Sequence, residues 1–224
     1  MDDPRRLLRR LSIFVIAASV VISSAHGTTI SWTDWASATS GSISPGISVS
    51  YSGQNRGLLI NSPSWNPSAS FSGGTVDNKP PQASNSVGLT GGSSSVNTVT
   101  FSSPVVNPVF AIWSLGRPGF QAQFVFTASE PFAIQAGGPN AEFGGSSITQ
   151  VGNTINGSEG NGVIQFSGTF SEISWTNPVF ENYYAFTVGT EGAGTVVPEP
   201  LSFALLGIGL AGIGGFRRYR LTKG

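Results

Sequence analysis

Between residues 28 and 196 the apolar residues recur with a period of two, which excludes most helical folds. Ile47-Ser-Val-Ser-Tyr51 alternates apolar with polar, Val96 to Phe101 does so less regularly, and Phe120, Ala122, Phe124 and Phe126 fall on one face. Side chains two apart share a face of a strand, whereas a helix needs spacings of three and four. Further short apolar runs lie at Ile30 to Trp35, Leu58 to Ile60, Val87 to Leu89, Val109 to Trp113, Phe132 to Ala136, Ile148 to Val151, Val163 to Phe166, Ile173 to Thr176 and Tyr183 to Val188. Clusters of Gly, Asn, Pro and Ser separate them. About ten to twelve short strands spaced this way predict an all-β domain, an antiparallel β-sandwich or jelly roll, with no helix beyond a turn or two.

Composition supports a folded middle. The region is poor in charge, but it keeps the aromatic and β-branched residues that disordered chains lack. Its basic residues are Arg56, Lys79 and Arg117, against Asp34, Asp77, Glu130, Glu142, Glu159, Glu172, Glu181 and Glu191. Three positive and eight negative charges leave a net −5, so nucleic acid is not expected as a partner. The chain has no cysteine and one histidine, His26. Disulfides, thiolate ligands and Ser-His or Cys-His nucleophiles are therefore excluded, and no cofactor is expected.

The remaining basic residues gather at the two ends. Arg5, Arg6, Arg9 and Arg10 precede an apolar run from Leu11 to Ile22, and Ser23 to Gly27 supply small residues. These are the three parts of a secretory signal, with cleavage after Ala25 or Gly27. The run would rise only about 18 Å as a helix, against a hydrocarbon core of about 30 Å. Residues 1–27 thus predict an N-terminal signal helix removed on export. At the other end Val197-Pro198-Glu199-Pro200 is followed by an apolar run from Leu201 to Phe216, then by Arg217, Arg218, Tyr219 and Arg220. The run predicts a transmembrane helix over 201–216, with the arginines as a stop on the cytoplasmic side. Each proline pushes the residue before it towards extended backbone, leaving Glu199 in an accessible segment outside the bilayer.

This tail resembles the PEP-CTERM sorting signal of Gram-negative bacteria: a Pro-Glu-Pro motif, a Leu/Gly-rich helix and a terminal Arg cluster, in that order. The resemblance covers about 28 of 224 residues, and the motif residues are Pro198, Glu199 and Pro200. It implies processing by an exosortase, a membrane-embedded transpeptidase-like enzyme, and a host that makes extracellular polysaccharide or biofilm. The organisation expected is a signal peptide (1–27), a β-sandwich ectodomain (28–191), a linker (192–197) and a sorting signal (198–220). The general secretion machinery would export the chain. The tail would anchor it transiently in the inner membrane, with the domain in the periplasm. The destination would be the cell surface or extracellular matrix.

The middle domain shows no arrangement of catalytic residues, and a non-catalytic structural or adhesive role is expected. Its acidic residues lie mostly in or near turns, where solvated surface charge is the expectation. Asp77-Asn78 and Asn153 to Asn161, with Glu159, offer the oxygen ligands calcium prefers, but no EF-hand loop or Gly-Asp repeat. Carbohydrate binding is the alternative function. Trp113 and Trp175 sit in apolar runs and read as core. Trp65 sits in the loop-like Asn61-Ser-Pro-Ser-Trp-Asn-Pro-Ser and is the candidate for stacking on a sugar of an extracellular polysaccharide. Two echoes, Ile30-Ser-Trp-Thr33 with Ile173-Ser-Trp-Thr176 and Asn107-Pro-Val-Phe110 with Asn177-Pro-Val-Phe180, would mark equivalent strands in two halves.

Overall fold

A computed structural model describes residues 27–127 and 131–191. The strands are β1 (Ile30–Trp32), β2 (Asp34–Ser37), β3 (Ser40–Ile43), β4 (Ile47–Ser52), β5 (Gly57–Leu59), β6 (Ser86–Leu89), β7 (Ser93–Val106) and β8 (Val109–Leu115). They continue as β9 (Ala122–Phe126), β10 (Phe132–Gly137), β11 (Ser146–Ser147), β12 (Thr149–Val151), β13 (Thr154–Gly157), β14 (Gly160–Phe166), β15 (Thr169–Asn177) and β16 (Tyr184–Glu191). Sheet one has the order β10-β14-β8-β16-β6-β5, with β1 beside the end of β16 and β11 beside β14. Sheet two has the order β12-β13-β9-β15-β7-β4-β3-β2. All pairings are antiparallel except β11 with β14.

The two sheets enclose an aromatic core. Phe110 of sheet one meets Trp175 of sheet two edge to face at 5.5 Å and stacks on Phe186 at 5.9 Å. Trp175 in turn lies on Tyr51 and Phe124. Such pairs add about 0.5–1.5 kcal/mol each beyond the area they bury. The core also carries a polar ladder. Asn97 accepts from the Tyr51 hydroxyl at 2.8 Å and from the Gln54 N–H at 2.9 Å, and donates to Asn177 at 2.9 Å. Asn177 also accepts from the Trp175 indole and donates to the Gln123 carbonyl. These amides are buried, and their partners meet the cost of taking polar groups from water.

Sheet one is buried on both faces. In β8, Phe110 and Ile112 face sheet two, while Val109, Ala111 and Trp113 face a second cluster. That cluster is roofed by the segment between β5 and β6, which contains α1 (Ser68–Phe71) and places Trp65, Phe71 and Val76 on the sheet. A strand covered on two sides reads as a continuous apolar run, which is the pattern of Val109 to Trp113. Sheet two leaves its outer face open, and β4 alternates buried Val49 and Tyr51 with exposed Ser48, Ser50 and Ser52.

Several expectations are corrected. Among the described residues there are sixteen strands rather than ten to twelve. Ile30 to Trp35 is two strands, not one: Thr33 donates from its N–H and hydroxyl to the Val188 carbonyl, and the chain passes there from sheet one to sheet two. Asn156 to Asn161 is not a long loop: it spans the end of β13, a short turn and the start of β14, where the chain passes from sheet two to sheet one. Phe120 leaves the face it was expected to share with Ala122 and lies exposed. The echoes are not equivalent strands: Ile30-Ser-Trp-Thr33 lies at the border of sheet one, Ile173-Ser-Trp-Thr176 inside sheet two. Asn107-Pro-Val-Phe110 does turn into β8, whereas Asn177-Pro-Val-Phe180 leads to an exposed Phe180 outside any strand. No helix among the described residues is long and apolar enough to cross a membrane. The expected linker and transmembrane helix lie outside the described residues, as does the signal helix apart from Gly27.

Candidate functional site

The open face of sheet two holds a depression of about 300 Å³, lined by Gln121, Gln123, Thr149, Val151, Thr154 and Asn156. Alternation places these side chains there. Ala122, Phe124 and Ile155 point into the core, so their neighbours point out. Register then brings three strands together: Thr149 lies opposite Asn156, Asn156 opposite Gln123, and Val151 opposite Thr154. The Gln123 amide donates to Asn156 at 3.0 Å, which fixes both side chains. The lining is neutral, and its amides and hydroxyls both donate and accept. It suits a hydroxyl-rich ligand and contains no group that could act as an acid or base near neutral pH.

Trp65 is not a stacking platform. It is 0% exposed and packs edge to face on Phe71 at 5.2 Å. Its backbone is left-handed, at φ 53°, and the chain reverses there with the indole inside the second cluster. A proline- and serine-rich sequence looked loop-like because it is one, but the loop is a roof with its aromatic residues underneath. Trp113 and Trp175 are core, as expected.

The acidic residues divide. Glu142 ties two loops together: its carboxylate accepts from Ser64 N–H at 2.9 Å and from the Trp113 indole at 3.1 Å. Partial burial works against its charge, but the bonds from Ser64 and Trp113 outweigh that and hold its pKa below the ordinary value. Glu159 and Glu181 correct the expectation of solvated charge, each being only 8% exposed. Burial, with the charge of Glu159 adding to it, pushes the Glu181 carboxyl up, and Arg117 offsets part of this. The oxygens proposed for calcium around Asp77-Asn78 are otherwise engaged in part: Asn78 accepts from Ile30 N–H and donates to the Ile30 carbonyl, holding β1 in place. Among the described residues no group of three His, Cys, Asp or Glu is placed to hold a metal ion.

Residues 196–218 match the family model of the PEP-CTERM protein-sorting motif. The chain carries a PEP-CTERM sorting signal. Pro198, Glu199, Pro200, Arg217 and Arg218 fall inside the match and Arg220 just beyond it; all lie outside the described residues. The PEP-CTERM motif supports exosortase-dependent sorting of an exported protein that has a C-terminal membrane anchor before processing. No curated protein and no solved structure matches the chain.

Sequence reasoning found the PEP-CTERM tail because a short motif, an apolar run and a charge cluster are all linear features. It missed the depression, whose signal was half present. Gln121 and Gln123 alternate with the apolar residues of β9 and so had to face outward. Asn156, the partner of Gln123, and Thr154 sit on β13, a strand with one apolar residue, Ile155.

Proposed function

We propose that this is a non-catalytic surface or extracellular-matrix protein, exported through the general secretion machinery and released from its membrane anchor by an exosortase. The tail holds the domain on the periplasmic side until it is removed, and the domain then reaches the cell surface or an exopolysaccharide matrix. The match of residues 196–218 to the sorting motif carries this reading. The test is the intact mass and cell fraction of the native protein beside a variant with Pro198, Glu199 and Pro200 all changed to Ala. The wild type should lose its tail near Pro198 to Pro200 and leave the inner membrane, while the variant keeps its full mass there. A wild type that retains residues 201–216 in the inner membrane refutes the reading.

The depression favours carbohydrate binding as a second reading, located at Gln123 and Asn156 rather than at Trp65. Neutral amides and hydroxyls at fixed spacing match the donors and acceptors of sugar hydroxyls. Binding to exopolysaccharide should be saturable and should weaken about tenfold or more in Gln123→Ala/Asn156→Ala, the loss expected for about 1.4 kcal/mol of hydrogen bonding. Release of sugar fragments from the polysaccharide would show an enzyme and overturn the non-catalytic reading.

A further inference from the structure

The open face of sheet two is ordered beyond the depression. Strand pairing sets its outward side chains in rows that cross the strands. One row is Thr149, Asn156 and Gln123, on β12, β13 and β9. The next is Val151, Thr154, Val125 and Thr176, on β12, β13, β9 and β15. A third is Ser174, Thr98 and Ser52, on β15, β7 and β4. Strand neighbours such as Ile155, Phe124 and Trp175 point into the core, which turns these residues outward. Rows on one strand lie two residues apart, about 7 Å, and neighbouring strands lie about 4.8 Å apart.

The rows differ in chemistry. The first offers amides and a hydroxyl, held by the Gln123–Asn156 bond at 3.0 Å. The second offers the methyl groups of two valines and two threonines, and Val151 is 72% exposed. The third offers hydroxyls, and those of Thr98 and Ser174 bond to each other at 2.8 Å. An apolar row is thus bordered by two polar ones, and the depression opens over the first two. A sugar ring has the same division, with C–H groups on its faces and hydroxyls at its rim. None of the row residues is charged. Elsewhere on the face the charged side chains among the described residues are Glu172, opposite Thr100, and Asp34, opposite Ser42. Arg117, the basic residue closest to β9 in sequence, is held over the Phe120 ring at 5.0 Å. A polyanion would find no cationic partner in the rows and would meet acidic charge around them.

We infer that this face binds a neutral polysaccharide as an extended chain lying across the strands. Its ring faces rest on the row from Val151 to Thr176, and its hydroxyls meet the rows on either side. The inference rests on the carbohydrate reading and adds to it the class of ligand, its direction and the residues beyond the depression. No aromatic ring lines the rows, so the grip comes from many weak contacts and affinity grows with the length of chain engaged. The second row spans three strand spacings, about 14 Å, beyond which added length gains little.

The experiment passes the full chain, in mild detergent, over immobilised dextran, mannan and galactan, which are neutral, and over polygalacturonate, which is acidic. Retention is expected on a neutral polymer, equal within about twofold at low and high salt, and not on polygalacturonate. Soluble fragments of the retained polymer should compete more strongly as they lengthen, levelling off once they span about 14 Å. Thr98→Ala/Ser174→Ala removes both members of a hydrogen-bonded pair at the surface and strands neither. It should keep the melting temperature and weaken retention about fivefold or more. Ser40→Ala/Ser50→Ala, on β3 and β4 away from the rows, should retain full affinity. If no polymer is retained, or Gln123→Ala/Asn156→Ala does not weaken retention, the carbohydrate reading fails and the inference with it. If that reading holds, three results overturn the inference alone: polygalacturonate held as well as the neutral polymer, retention lost in high salt, or full affinity in Thr98→Ala/Ser174→Ala.

Discussion

Trp65→Ala separates a buried aromatic from a surface one. Trp65 is fully enclosed by the second cluster, and truncating such a side chain costs about 3–5 kcal/mol once the cavity is counted. Against a total stability of about 5–15 kcal/mol, that is a large loss. It should lower the melting temperature by on the order of 10 °C. Trp65→Phe should cost much less, under about 1.5 kcal/mol, because a ring still meets Phe71. The indole N–H it removes has no hydrogen-bond partner. Urea unfolding followed by circular dichroism measures both, with an unchanged slope showing that the same surface is exposed. An unchanged midpoint in Trp65→Ala, together with lost polysaccharide binding, would place the ring at the surface and refute the packing argument.

Asn97→Ala should destabilise by about 1–3 kcal/mol in the same titration, since it removes the acceptor of the Gln54 N–H, while the Tyr51 hydroxyl keeps the Gln54 carbonyl. A cost below about 0.5 kcal/mol would mean that the ladder contributes little. Stability should fall as pH rises above the ordinary carboxylate range, because burial raises the Glu181 pKa and ionisation then works against the fold. Thermal scans across pH should show this decline flattened in Glu181→Gln, and an identical profile would refute it. Glu142 has the opposite sign: its lowered pKa gives stability near neutral pH that is lost as pH falls through that pKa. Glu142→Gln should therefore lower the melting temperature near neutral pH and leave it little changed in strong acid.

Strands were legible where the alternation was strong. Ile47 to Tyr51 and Phe132 to Ala136 gave β4 and β10 nearly to the residue. β3 and β13 were not legible, because each carries one apolar side chain and takes its place from the neighbours on either side. Thr33 hid a change of sheet inside one apolar stretch, since both halves of the stretch are buried and no turn residue marks the crossing. The burial of Trp65, Glu159 and Glu181 depends on what lies across from them, from 78 residues away in the case of the Ser64–Glu142 bond beside Trp65. Local composition carries no record of such partners. The sorting motif was legible, because an apolar run between a motif and a charge cluster needs no tertiary partner to be recognised.

The order in which strands enter the sheets bears on export. β15 lies between β9 and β7 in sheet two, and β16 lies between β8 and the pair β6 and β1 in sheet one. Both central strands are the last of their sheets to be made. The first residues of β1 pair with the last of β16, Ile30 with Glu191. Neither sheet can close around its middle until residues 169–191 are available to pair. Long-range pairing of this kind is slow to form. On the export route proposed above, this topology would keep the chain open while it is threaded through a translocation channel and let it fold only when the whole domain is on the far side.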